Sequence, residues 1–96
     1  MNLRLREKIE EAVRRYNMYR SPEAVAEIIK EENGKVYIVF SGRFCHTCGV
    51  TDWIEDLAYE MRDLGLDARL VEVLEPEGSD EDYRIGVFEV KSEEKS

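Results

Sequence analysis

Apolar residues recur at helical spacing near the start of the chain. Leu5, Ile9, Val13 and Tyr16 follow one another at steps of four, four and three residues, which places them on one face of a helix. Most residues between them are charged. The pattern therefore predicts an amphipathic helix over residues 3–19.

A second helix is predicted directly after the first. Ser21, Pro22 and Glu23 form a typical helix start, with a hydroxyl N-cap, a proline at the first helical position and an acid in the first turn. Asn33-Gly34 would end this helix, because both residues tolerate the left-handed conformation. Two N-terminal helices are therefore expected within residues 1–33. The apolar face of the second consists of Ala24, Val25, Ile28 and Ile29.

The middle of the chain predicts a strand, a loop and a helix. Residues 36–40 are five consecutive apolar residues, which is typical of a central strand covered on both faces. Residues 41–49 form the loop. The helix over residues 50–64 shows apolar positions at steps of four and three, and Thr51 or Asp52 could cap it.

Two further strands complete the prediction. Residues 67–74 are interrupted by Arg69 and Glu72, as expected nearer a sheet edge, and an acidic turn follows. Residues 83–90 form the last strand, and residues 91–96 form a polar tail. The two faces of the last strand carry Tyr83, Ile85 and Val87 on one side and Phe88 and Val90 on the other.

The predicted order is α-α-β-α-β-β in a single domain over residues 1–96, of the α/β class bordering on α+β. Its β-α-β-β unit, residues 35–90, forms a three-stranded mixed sheet with the 36–40 strand in the centre. The 67–74 strand lies parallel on one side through a crossover, and the 83–90 strand lies antiparallel on the other. In a competing order the last two strands form a hairpin, which would bring charged residues into the middle of the sheet.

Composition narrows the class of protein. Hydrophobic residues make up 43% of the chain and charged residues 38%, which is typical of a globular protein. No apolar run approaches the ~20 residues that span a bilayer, and the first residues lack the apolar segment of a secretory signal. We expect a cytoplasmic protein with no membrane partner. The absence of Gln beside abundant Glu, Lys and Arg is typical of thermophiles, whose cytosol can hold stable disulfides.

Charge is distributed unevenly along the chain. Residues 1–20 carry six basic and three acidic side chains, whereas residues 50–75 carry two basic and eight acidic ones, and the whole chain has a net charge of −8. An acidic surface repels phosphate backbones, so no nucleic-acid partner is expected. The basic N-terminal helix could contact an acidic partner or a second copy in a homodimer, or form a solvated face of mixed charge.

Both cysteines and the only histidine fall within Cys45-His46-Thr47-Cys48. Two thiols at this spacing can exchange electrons with another protein, close a small structural disulfide or bind a metal; free thiols without a role are a fourth alternative. Tetrahedral zinc takes four ligands, whereas one chain offers only Cys45, His46 and Cys48. A zinc site would therefore need a second chain, and we expect neither a metal nor another cofactor.

The position of the motif favours redox chemistry. The segment follows a buried strand and precedes a helix, whose N-terminal N–H groups and positive dipole end favour a thiolate. A protonated His46 would add a second positive influence. Together these could lower one cysteine pKa from ~8.5 towards 7. The candidate catalytic residues are therefore Cys45, Cys48 and His46.

The stretch from Val36 to Cys48 resembles the active-site segment of thioredoxin-like proteins. In that family an apolar strand ends in a Phe, four residues intervene before a Cys-x-x-Cys pair, and an aromatic residue directly precedes the first cysteine. Phe40, Phe44, Cys45 and Cys48 match this spacing. The resemblance implies a thioredoxin-like half and a protein partner that carries a disulfide or a dithiol. It also implies that Cys45 is the attacking thiol and Cys48 the resolving one.

The chain departs from the family pattern at three positions, and its two predicted N-terminal helices replace the usual leading strand. Val39 stands where an Asp is often found, Trp53 replaces the proline after the second cysteine, and no proline stands directly before residue 83. The family's cis-proline at that last position shapes the groove for the substrate peptide. The alternative is therefore a non-enzymatic α/β interaction module, in which the cysteine pair is a structural disulfide or an intersubunit zinc site.

Overall fold

A computed structural model describes residues 3–43, 49–75 and 83–92. Four strands form one antiparallel sheet in the order β1-β2-β4-β3, and two helices complete a single domain of mixed α and β structure. The elements in chain order are α1 (Leu3–Arg20), β1 (Val25–Glu32), β2 (Lys35–Ser41), α2 (Val50–Asp63), β3 (Leu66–Leu74) and β4 (Tyr83–Ser92).

The predicted second helix is wrong, because residues 25–32 form the edge strand β1. Ala24 and Ala26 are buried at alternate positions, and a bulge between Ile28 and Lys30 then shifts the alternation. Because of this shift, the apolar residues of β1 do not alternate regularly, and their spacing resembles that of a helix. Asn33-Gly34 is a hairpin turn and not a helix end. Both its residues have positive φ, as two-residue hairpin turns favour.

The three-stranded mixed sheet is also corrected. β2 does have a neighbour on each side and pairs antiparallel with β4, as predicted. β3, however, is not the parallel neighbour of β2, because β4 lies between them and pairs with β3. The hairpin of the competing order is therefore present, yet β3 remains at the edge. The thioredoxin-like half is not confirmed by this strand order.

β4 takes an inner position in the sheet because side chains on both of its faces are buried. Val87 is 2% exposed and Phe88 is 0% exposed, although adjacent strand residues point to opposite faces. β3 carries Arg69 and Glu72, which are exposed at the sheet edge. Placing the more apolar strand inside avoids desolvating these charges.

Both helices lie on one face of the sheet, which we call the covered face. Gly86 shows how closely they approach: a Cβ added there would lie 2.8 Å from Ile54 Cγ2 of α2. The helix predictions over residues 3–19 and 50–64 are thus confirmed within a residue. The covered face of the two inner strands consists of Val36, Ile38, Phe40, Gly86, Phe88 and Val90.

The opposite face of the sheet, which we call the open face, is covered by neither described helix. Its inner strands carry apolar residues towards one end and charged residues towards the other. Val87 is buried without belonging to the main core cluster, which agrees with its position on this face. The apolar members of the two inner strands are Tyr37, Val39, Tyr83, Ile85 and Val87.

The end of the sheet at which β2 finishes and β4 begins is called the upper end; Ser41 and Tyr83 pair there. The loop with the cysteines leaves from this end. β4 extends to Ser92, so the first two residues of the predicted polar tail belong to a strand, and the rest of that prediction lies outside the described residues. Neither described helix combines the length and the apolar character needed to cross a membrane.

Candidate dithiol site

The cysteine motif itself lies outside the described residues, since Phe44, Cys45, His46, Thr47 and Cys48 fall between the ranges 3–43 and 49–75. The structure does describe the residues on both sides of it. Gly42 and Gly49 are the described residues that mark where the chain leaves the sheet and where it enters the next helix.

Gly42 fixes the departure of the segment from β2. Its φ is 129°, and a Cβ added there would collide with the Glu23 carbonyl oxygen and lie 3.1 Å from that of Pro22. Only glycine fits so close to another backbone. The Ser21–Pro22 peptide bond in that neighbouring link is cis. The chain therefore leaves the upper end of the sheet pressed against the connection between α1 and β1.

Gly49 fixes the return of the segment into α2. It is the N-cap residue, with φ 85°, and its carbonyl accepts a hydrogen bond from the Trp53 N–H at 3.1 Å. The predicted caps Thr51 and Asp52 are thus corrected, because both lie inside the first turn. Because the N-cap residue Gly49 has no side chain, it makes no side-chain hydrogen bond to the first turn of α2. Cys48 directly precedes this N-cap in the chain, so the positive end of the helix begins next to it.

Tyr16 holds the first turn of α2 against α1. Its hydroxyl donates a hydrogen bond to the Trp53 carbonyl at 2.7 Å, and its ring meets Phe40 edge-on at 5.4 Å. Burial raises the pKa of the Tyr16 phenol, an effect that Asp56 reinforces and Arg20 opposes. Trp53 itself is partly buried and packs against the core. These contacts therefore fix the first turn of α2 against α1 and β2.

Arg20 neutralises the acids on the exposed side of α2. Its guanidinium lies 3.5 Å from the Asp56 carboxylate and 3.4 Å from that of Glu60, and it covers the ring of Tyr16 at 4.6 Å. Asp56 thus forms an ion pair that connects α1 and α2. Asp52 is the acidic residue of the first turn, as expected for the positive end of a helix.

Arg84 is a charged residue at the upper end of the sheet that the sequence pattern did not single out. It pairs with Phe40 across the strands, so it lies on the covered face near the upper end. Its side chain is only 18% exposed, Nη1 donates to the Tyr83 carbonyl at 2.7 Å, and Nε lies 3.8 Å from the Glu75 carboxylate. The alternation that places Phe88 and Val90 on the covered face also places Arg84 there.

Within the described part of the chain, no group of three or more His, Cys, Asp or Glu residues could hold a metal ion. The motif Cys45-His46-Thr47-Cys48 lies outside the described residues, so the zinc alternative stays open. Comparisons with protein-family models, with curated proteins and with solved structures find no match to this chain.

Proposed function

We propose that the chain is a small cytosolic thiol–disulfide oxidoreductase in which Cys45 and Cys48 cycle between dithiol and disulfide. The observation that supports it best is the pair of glycines around the motif. Gly42 leaves no room for a side chain against Glu23, and Gly49 starts α2. Two thiols three positions apart, between backbone anchors at Gly42 and Gly49, are suited to closing and opening a small disulfide ring.

The proposed reaction begins at Cys45. Its thiolate attacks one sulfur of a disulfide in a partner protein, forming a mixed disulfide while the partner's other sulfur leaves as a thiolate. Cys48 then loses its proton and attacks Cys45 Sγ, so that the Cys45–Cys48 bond forms and the mixed disulfide breaks. The partner gains two electrons and two protons and leaves as a dithiol. The reverse sequence oxidises a dithiol partner.

Two features near α2 act on the thiols in opposite directions. The N-terminal N–H groups and the dipole of α2 favour a thiolate, as would a protonated His46. Asp52 in the same turn carries a negative charge, which disfavours it. Replacing Asp52 with Asn should therefore speed alkylation of the attacking cysteine near neutral pH, measured with iodoacetamide.

A redox titration tests the proposal directly. The protein is equilibrated with glutathione buffers and its free thiols are trapped and counted by mass. We expect a two-thiol transition at a potential of roughly −120 to −270 mV, the range of oxidoreductases. A potential below about −300 mV would instead identify a structural bridge. Cys45→Ser should abolish rapid alkylation, whereas Cys48→Ser should leave one reactive thiol; equal slow rates at both sites contradict these roles.

The glycine at the start of the segment offers a matched pair of variants. Gly42→Ala places a Cβ against the Glu23 carbonyl, whereas Gly34→Ala meets no atom within 4 Å; both glycines have positive φ. If the anchored segment sets the redox properties, Gly42→Ala shifts the potential and Gly34→Ala does not. If the redox potential of Gly42→Ala is unchanged, the backbone geometry at Gly42 does not influence the cysteines, and the proposal loses this support.

The second candidate is an interaction module with a structural disulfide. The open face favours it, because apolar residues such as Val39 and Ile85 lie on a side of the sheet that neither described helix covers. The double variant Cys45→Ser/Cys48→Ser separates the candidates. If the double variant loses thiol chemistry but still associates with its partner as the parent protein does, the result favours the interaction module.

A further inference from the structure

Three cross-strand rows of residues can be followed over the open face, and two of them share a charge arrangement. The middle row runs across all four strands from Lys30 to Glu72, with Tyr37 and Val87 between them. The register places these residues opposite one another on the same face. Lys30 Nζ confirms this by lying 4.6 Å from the centre of the Tyr37 ring.

The row below carries a charge on every strand. In the order β1-β2-β4-β3 it reads Glu32, Lys35, Glu89 and Arg69, with alternating sign. Within this row the Arg69 guanidinium lies 3.1 Å from the Glu89 carboxylate. The row above the middle one is mainly apolar and reads Glu27, Val39, Ile85 and Leu74.

The charges of the two lower rows invert across a line that runs between β2 and β4, parallel to the strands. Each charged residue on one side of the line has a residue of opposite charge at the same distance on the other side. The inverted pairs are Lys30 with Glu72, Lys35 with Glu89, and Glu32 with Arg69.

We propose that the open face binds the open face of a second copy of this chain, with a two-fold axis along that line. Such an axis lays β1 of one copy over β3 of the other and β2 over β4. Lys30 then faces Glu72 of the second copy, and Glu72 faces the second copy's Lys30. The same operation brings together the other two opposite pairs. Charge inversion across the line is what a self-complementary interface requires.

The remaining surface of the face agrees with this partner. Tyr37, Val39, Ile85 and Val87 occupy the middle of the two central strands, where two sheets would meet at a spacing of ~10 Å. The three inverted pairs sum to zero, so the net charge of −8 lies elsewhere on the chain. Two copies can therefore approach through this face without the repulsion that their net charges would otherwise cause.

This proposal does not rest on the proposed dithiol chemistry. It also differs from the homodimer through N-terminal helices that the sequence suggested. Within α1, the residues Ile9, Ala12 and Tyr16 are buried inside the protomer. Failure of the redox titration would leave the dimer untouched, and a monomeric protein would leave the redox reaction untouched.

The first test is the mass of the protein in solution by sedimentation equilibrium. We expect a species of twice 11.2 kDa that dissociates on dilution. Lys30→Glu and Glu72→Lys should each raise the dissociation constant about tenfold, since each puts two like-charge contacts in place of two opposite ones. A protein that stays monomeric, or single variants that dimerise like the parent, would overturn the proposal.

Net charge provides an internal control for these two variants. Lys30→Glu changes it from −8 to −10 and Glu72→Lys from −8 to −6, so general repulsion would weaken only the first dimer. Glu27→Lys makes the same change as Glu72→Lys on the same face, but its counterpart across the axis is the apolar Leu74. It should therefore not weaken the dimer.

Mixing the two single variants is the sharpest test. The Lys30→Glu chain carries two acids at these positions and the Glu72→Lys chain two lysines, so a mixed dimer restores both opposite contacts. Lys30 and Glu72 lie on opposite edge strands, ~14 Å apart at a strand spacing of ~4.8 Å, so no contact within one chain can explain such a recovery. Native mass spectrometry should show the mixed dimer in excess over both self-dimers. A statistical mixture would contradict the proposed axis.

Discussion

The two faces of the sheet are built from the same strands but are constrained differently. On β2, Phe40 and Ile38 enter a core shared with both helices, whereas Tyr37 and Val39 project to the opposite side and stay partly exposed. On the covered face, side chains of the sheet pack closely against those of both helices. The open face combines an apolar centre with an inverted charge pattern, which the described core does not require. The fold therefore accounts for the covered face, whereas the proposed second copy would account for the open one.

The packing of the covered face explains why it tolerates little change. Phe40 contacts Tyr16 edge-on at 5.4 Å and lies 6.1 Å from Phe88, and Gly86 keeps the space beside these rings free. Such aromatic pairs contribute about 0.5–1.5 kcal/mol beyond burial. A substitution here disturbs both the sheet and the helices.

The largest effect is expected when an aromatic side chain is removed from the covered face. Phe40→Ala should lower the free energy of unfolding by about 4 kcal/mol, because a fully buried ring leaves a cavity. Tyr37→Ala on the open face of the same strand should cost about 1 kcal/mol in the monomer. Urea unfolding at protein concentrations below self-association measures both. Equal losses would contradict the difference between the faces.

The next effect concerns the space at Gly86. Gly86→Ala should destabilise the protein by about 2 kcal/mol, because the new Cβ lies 2.8 Å from both Ile54 and Phe88 side-chain carbons. Gly34→Ala separates crowding from backbone strain, since its φ is 78° but no atom lies within 4 Å. We expect about 1 kcal/mol there. If Gly86→Ala proves the milder change in thermal melts, the covered face is less tightly packed than described.

Much of this fold was readable from the sequence wherever one period dominated. The steps of four and three in α1 and α2, and the apolar run in β2, gave these elements within a residue or so of their observed bounds. The opposite faces of β4 were also predicted correctly, with Val87 on one side and Phe88 on the other. Local periodicity is sufficient where an element buries a single continuous stripe.

The sequence failed where a local signal had two structural meanings. Ser21-Pro22-Glu23 resembles a helix start, and Asn33-Gly34 fits both a helix end and a hairpin turn. The bulge before Lys30 removed the simple alternation that would have identified β1. The strand order failed for another reason, because the choice of neighbour for β2 depends on the burial of whole strands and not on any local pattern.

The candidate site was partly predictable. Cys45, His46 and Cys48 are evident from their spacing alone, and their redox role stays a prediction. The close approach of Gly42 to Glu23 was not predictable, because it joins two segments that the sequence treats as unrelated. Arg84 could have been noticed, since its position in an alternating strand places a charge on the inner side.

A smaller effect is expected from the polar bond within the helical layer. Tyr16→Phe removes the hydrogen bond to the Trp53 carbonyl and should cost about 1 kcal/mol near neutral pH. Burial raises the pKa of Tyr16 in the folded state above its usual value of 10.0. The unfolded state therefore releases this proton first as the pH rises past about 10, and the folded state loses stability there.

The pH dependence gives this prediction its control. Parent protein should lose stability more steeply than Tyr16→Phe above pH ~10, so the difference between them should shrink. Tyr19→Phe removes an exposed phenol from the same helix and should leave the parent slope unchanged. Urea unfolding at several pH values measures all three proteins. Parallel slopes for the parent and Tyr16→Phe would show that the buried phenol does not oppose ionisation.

The smallest effect is expected from the ion pair on the open face of one chain. Arg69 and Glu89 lie 3.1 Å apart, but Arg69 is largely exposed, so water and salt screen their attraction. A double-mutant cycle with Arg69→Ala and Glu89→Ala should give a coupling of about 0.5 kcal/mol in the monomer, falling further in high salt. The same cycle at dimer-forming concentrations measures whether Glu89 also acts between two copies. Glu89 then also faces Lys35 of the second copy, so its removal should weaken the dimer even where Arg69 is already Ala. If Glu89→Ala has the same effect at every protein concentration, this carboxylate stabilises only its own chain.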